Sequence, residues 1–120
     1  EEQGAAFREE YRAKYPGTMG MVYTGGGYDA VKMLAKAWTE VGDPSNFDAV
    51  GDAIRKMEYR GINGFYKIDP DTNSGISYPN MTDDPEGGQA HLFFQVQDNE
   101  HRIIAPSPFA EVEFMAPPWW

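Results

Sequence analysis

No cysteine occurs among the 120 residues, which excludes disulfides, thiolate metal sites and a cysteine nucleophile, and leaves the redox compartment open. Histidine is scarce, with two copies, and ten Lys and Arg stand against nineteen Asp and Glu for a net charge of −9. Nucleic acid and anionic membrane surfaces both call for clustered positive charge, so neither fits as a partner. No apolar run approaches the ~20 residues that cross a bilayer. The charged opening EEQGAAFREEYRAKY has neither the apolar core nor the cleavage site of a signal peptide. It lacks Met and falls at once into a helical pattern, so the expectation is a piece of a longer chain. The length suits one ordinary domain with a modest core.

Aromatic residues are plentiful: three Trp, seven Tyr and seven Phe. Phe7, Tyr11 and Tyr15 recur every fourth residue, with charges around the other face and Glu10 and Lys14 at i,i+4, which predicts an amphipathic helix stopped by Pro16-Gly17. A second helix is predicted from near Tyr28 to Gly42, with Val31, Leu34, Ala35, Trp38 and Val41 on the buried face and Asp29 at its positive end. A third follows DPSNFDAVGDAIRKM, with Ser45 as N-cap, Asp48 three residues on, and Phe47, Val50, Ile54 and Met57 as the stripe. GINGFYKI reads as a strand, DPDTNSG as a turn and 79–90 as a polar loop. HLFFQVQ and HRIIA form a hairpin across Asp98-Asn99-Glu100, and the tail with its four prolines runs extended. Three one-sided helices require a sheet, and this sequence offers no run of parallel strands, so the partner sheet is expected elsewhere.

Candidate chemistry begins at TGGGYDA, residues 24–30, after the short apolar stretch GMVY, read as a brief strand. Gly25, Gly27 and Ala30 spell G-x-G-x-x-A, a form of the dinucleotide fingerprint, but Asp43 and Asp48 sit in the approach to the third helix, where a second strand and its ribose acid are needed. A flexible approach to the helix is the preferred reading. Asp69, Asp71 and Asn73 alternate like calcium ligands, but Ser74 and Asn80 replace the required Gly and Glu, which favours a solvated turn. His91 and His101 flank the hairpin and read as cross-strand surface residues, not as zinc ligands. No metal, cofactor or catalytic residue is expected. Tyr23 lies off the helix-core spacing, and its ring either packs in the core or faces a crevice beside the glycines.

In order and spacing, Phe7, Tyr11 and Tyr15, the segment YDAVKMLAKAWTEVG, the helix beginning NFDAV, the R-G-x-x-G segment Arg60 to Gly64 with FYKID after it, FFQVQD and the closing PPW resemble the C-terminal third of the type 1 periplasmic binding proteins. This is the leucine/isoleucine/valine-binding receptor family of ABC importers. The resemblance implies an α/β fold of two lobes with a solute held in the cleft between them. Residues 1–88 would be the last pass through the first lobe, with three helices and a strand on a parallel sheet. Residues 89–120 would be a β-hairpin and Pro-rich tail returning toward the second lobe or hinge. An aromatic five residues before the helix-opening Tyr faces the ligand in relatives, which implies a ligand-binding role for Tyr23, with Thr24 and Gly25 on the same rim.

Function then follows from the resemblance as a non-enzymatic, periplasmic or extracytoplasmic solute receptor with a signal peptide upstream. Its solute would be a small amino acid, amide or aromatic acid, and its partners an ABC permease and the remainder of its own chain. In isolation these residues would self-associate through uncovered helix faces. A cytoplasmic ligand-sensing regulator on the same fold is the alternative reading, and a nucleotide-binding enzyme domain the third.

Overall fold

The computed structural model describes residues 2–17, 19–20 and 23–120. Three helices come first: α1 at Glu2–Lys14, α2 at Tyr23–Val41 and α3 at Phe47–Lys56. Eight short strands follow: β1 Tyr59–Gly61, β2 Gly64–Tyr66, β3 Ile68–Asp69, β4 Ser74–Gly75, β5 Ser77–Tyr78, β6 Gln89–Ala90, β7 Phe93–Gln97 and β8 Glu100–Ala105. Among the described residues they pair two by two, as β1-β2, β3-β4, β5-β6 and β7-β8, and of these pairs β5-β6 is parallel. Neither a continuous sheet nor a layered core exists among the described residues. A radius of gyration of 17.1 Å exceeds the value of about 14 Å expected of a compact chain this long.

The small core lies where α2 meets α3. Met33 and Ala37 of α2 pack with Val50 of α3 and Met57 just beyond it, and Leu34, Val41, Ile54, Tyr59 and Tyr66 close around them. Gly42 ends α2 with φ +73°, a left-handed conformation that glycine adopts without a Cβ penalty, and its N–H donates to Trp38 O at 2.9 Å. The cap of α3 sits one residue later than expected. Asn46 Oδ1 accepts from Ala49 N at 3.2 Å, while the Ser45 N–H donates to Asp43 Oδ1. Phe47 is 79 % exposed and outside the core. It keeps the phase of the stripe, but helical side chains lean toward the N-terminus, so at the first position Phe47 leans off the helix.

The face expected to bury on α2 is corrected. Val31 and Trp38 are exposed at 67 % and 43 %, whereas Gly25, Asp29, Met33 and Ala37 are buried. Helix geometry puts these two stripes on opposite sides, so α2 is apolar on two faces and only one is covered here. GINGFYKI is also corrected: Gly61 and Gly64 bracket a two-residue turn, Ile62-Asn63, and the segment forms a hairpin with Tyr59 opposite Tyr66. In β7-β8 the turn is Asp98-Asn99, both with positive φ, and Glu100 already pairs with Gln97. That backbone fits the right-handed twist of the strands and suits Asp and Asn. The tail lies beside β7. The Gln95 side chain donates to Met115 O at 2.8 Å and accepts from Met115 N at 2.9 Å, and Gln97 Nε2 donates to Glu113 O at 2.9 Å.

Candidate ligand-binding site

Helix α2 starts at Tyr23, five residues earlier than the sequence reading, so the glycines of TGGGYDA are helical and not a loop. Met21 and Val22, half of the strand expected at GMVY, lie outside the described residues. Three consecutive glycines cost a helix about 1 kcal/mol each relative to Ala, so tertiary contact must hold this end. That contact is the β1-β2 turn. The side chain of Asn63 occupies the place where a Cβ on residue 25 would stand, so only glycine lets the two elements approach so closely.

Asp29 fastens the same turn one helical turn further along. Its side chain is completely buried. Its carboxylate accepts the Ile62 N–H and the Asn63 N–H, each at 2.9 Å, and the Tyr66 hydroxyl at 2.9 Å. Hydrogen bonds to an ionised acceptor are roughly twice as strong as neutral ones, and here they offset the cost of burying the charge. Gly61 of the same turn also packs here, where a Cβ would overlap the carboxylate. The Tyr66 hydroxyl titrates far above its usual range, first because it is partly buried and then because it donates to Asp29. Tyr59 is raised as well, by burial and then by the charge on Asp29. Asp29 is not simply a charge at the helix end, as its place before the apolar run suggests; its phase with Gly25, Met33 and Ala37 is the signal of burial.

Of the expected rim residues, Tyr23 is 89 % exposed, Thr24 is half-buried and Gly25 is buried. Successive helical side chains point about 100° apart, so these three do not line one surface with their side chains. What they share is the N-terminal end of α2, whose first-turn N–H groups, as in any α-helix, have no acceptor within the helix and whose first turn carries no acidic residue. Beside it a groove of about 90 Å³ runs between Phe7, Arg8 and Met19 on one side and Gly25, Ile62 and Asn63 on the other. Asn63 also lines a wider groove of about 560 Å³ with Gln89, His91 and Leu92.

The other candidates do not converge on a site. Asp69 Oδ1 accepts from Asp71 N at 2.8 Å within the β3-β4 turn, which is the solvated turn expected. Among the described residues no cluster of three or more acidic, histidine or cysteine side chains is placed to hold a metal. His101 pairs with Val96 across the hairpin, but His91 precedes β7 and lies 2.9 Å from the Asn80 amide, so the two histidines are not cross-strand partners.

A model of the periplasmic binding protein family matches residues 1–88. The chain belongs to the type 1 periplasmic binding proteins. A crystal structure from Silicibacter pomeroyi, described as a branched-chain amino acid ABC transporter, superposes with a TM-score of 0.87 at 30% identity over 100% of this chain. This chain spans 32% of that one, about a third of its length. No curated protein matches by sequence. Periplasmic binding proteins are non-enzymatic, which removes the nucleotide-enzyme reading, and the G-x-G-x-x-A residues lie within a helix instead of the strand-to-helix turn that a dinucleotide requires.

Proposed function

We propose that these residues form part of an extracytoplasmic solute receptor of an ABC importer, with a branched-chain or other small amino acid, an amide or an aromatic acid bound in a cleft between two lobes. The observation that carries this reading is the likeness, along the whole chain, to the branched-chain amino acid ABC transporter structure. Residues 1–88 belong to the first lobe, and 89–120 return toward the second lobe or hinge. The end of the family match at residue 88 supports that division. Tyr23, Thr24 and Gly25 form the first-lobe rim. The N–H groups of a helix N-terminus suit a carboxylate or amide, and the exposed Tyr23 ring offers an apolar face. The Val31 and Trp38 face packs on the rest of the protein, and without it the 120 residues self-associate. Solute binding favours a closed form, which docks on the permease.

In the full-length protein, a panel of L-leucine, L-isoleucine, L-valine, acetamide and benzoate should yield at least one ligand that raises the melting temperature. Saturation at a hundred times Kd stabilises by about 2.7 kcal/mol. Tyr23→Ala should remove most of that gain, and wild-type affinity in this variant would refute the rim. An export signal in the complete gene separates this reading from a cytoplasmic regulator.

A further inference from the structure

We propose that Asp29 is a positioning residue for the ligand rim: through the Ile62-Asn63 turn it seats the Asn63 side chain against Gly25 and so sets the height and direction of the first turn of α2. The inference rests on the assignment of Tyr23, Thr24 and Gly25 to the rim.

Three links make the chain of contact continuous. The carboxylate of Asp29 is fully buried, and among the described residues the three hydrogen-bond donors that reach it all come from the hairpin, 33, 34 and 37 residues away. The turn cannot slide along α2 without breaking charge-assisted bonds in a space closed to water. Gly61 then lets the turn approach this closely, because a Cβ there would overlap the same carboxylate. Finally, Asn63 and Gly25 interlock, since the Asn63 side chain fills the volume that any larger residue at 25 would need. A helix start with glycines at its third, fourth and fifth positions has little stiffness of its own, so its orientation is taken from what touches it. At Gly25 that is Asn63.

Contacts from Gly25 to Asn63 and from Asn63 to Asp29 thus form one two-sided clamp around the end of α2. Its polar side is buried at Asp29, and its effect is delivered at the helix end where the solute would sit. A buried carboxylate that only stabilised the hairpin would change folding without changing recognition.

The test uses the full-length protein, calorimetric titration with the amino acids, acetamide and benzoate of the panel above, and hydrogen exchange at the amides of Gly27 and Tyr28, which bond back to the carbonyls of residues 23 and 24 in an α-helix. Asn63→Ala keeps every bond to Asp29, and it is expected to weaken binding about tenfold and to speed exchange at both amides. Asp29→Asn puts an amide N–H against a turn N–H and should weaken binding at least as much. Gly25→Ala alone should also weaken binding, whereas Gly25→Ala with Asn63→Ala should bind more tightly than either single variant, because the new methyl fills the vacated space. A merely structural role gives a double variant no better than the worse single one. Wild-type affinity and exchange in Asn63→Ala, beside a weakened Tyr23→Ala, overturn the positioning role alone. Absence of binding by the whole panel, or wild-type affinity in Tyr23→Ala, overturns the rim and the positioning role with it.

Discussion

Residues 23–66 and residues 93–115 solve the same problem, holding two distant segments together, with opposite chemistry. In the first, one carboxylate removed from water takes three donors from a hairpin more than thirty residues away. In the second, two glutamine side chains at the surface bond the main chain of the tail. Every buried residue among those described precedes residue 89, and none lies in 91–120. A hydrogen bond in a low-dielectric interior is stronger, and far costlier to break, than one that water can replace. The first region is therefore expected to unfold as a unit, and the second to fray from its tail.

The contrast breaks most sharply at Asp29. Asp29→Ala leaves two backbone N–H groups and a hydroxyl without an acceptor in a dry site, at about 1–3 kcal/mol each. The midpoint of urea unfolding should fall by more than in any other variant of this region; a shift no larger than that of a surface substitution would remove the carboxylate from its central place. Tyr66→Phe comes next, at about 1 kcal/mol near neutral pH. It also carries a pH signature. Folding raises the Tyr66 pKa above its ordinary 10.0, so the neutral hydroxyl is favoured in the native state. Its stabilisation is complete below pH 10 and is lost as pH rises above that value. Wild type should thus lose more stability than Tyr66→Phe between pH 9 and 11, and parallel curves would mean that the hydroxyl does not sense folding. Gln95→Ala is the smallest, about 0.5–1.5 kcal/mol confined to the tail. Amide exchange at Met115 should accelerate while the urea midpoint stays in place. A fall comparable to that of Asp29→Ala would erase the distinction between the two regions.

Much of this was legible along the chain. The 3.6-residue spacing of α1 to α3, the stop at Gly42, the hairpin at residues 93–105 and the order of motifs shared with periplasmic binding proteins all reside in local sequence. What misled was α2, whose two apolar stripes are both genuine. Val31 and Trp38 are the larger residues and drew the assignment, while the stripe covered in this chain is built from Gly25, Asp29, Met33 and Ala37, smaller on average and interrupted by a charge. Gly25 to Gly27 looked like a loop because propensity is local, and the Asn63 contact that holds them helical is 38 residues away from Gly25. The R-G-x-x-G segment carried the missing clue: two glycines around two residues are the mark of a tight turn, and a turn with outward N–H groups needs an acceptor.

Gln95 reads nothing of residue 115 except its main-chain N–H and C=O. Position 115 is consequently free to drift through nearly the whole amino-acid alphabet, with proline as the forbidden letter because it has no N–H to give. The constraint falls instead on position 95, where glutamate would supply the acceptor but not the donor. Two homologues with unrelated tails could therefore share this docking unchanged, and the invariant to look for between them is a glutamine in the strand, with no counterpart in the segment it holds.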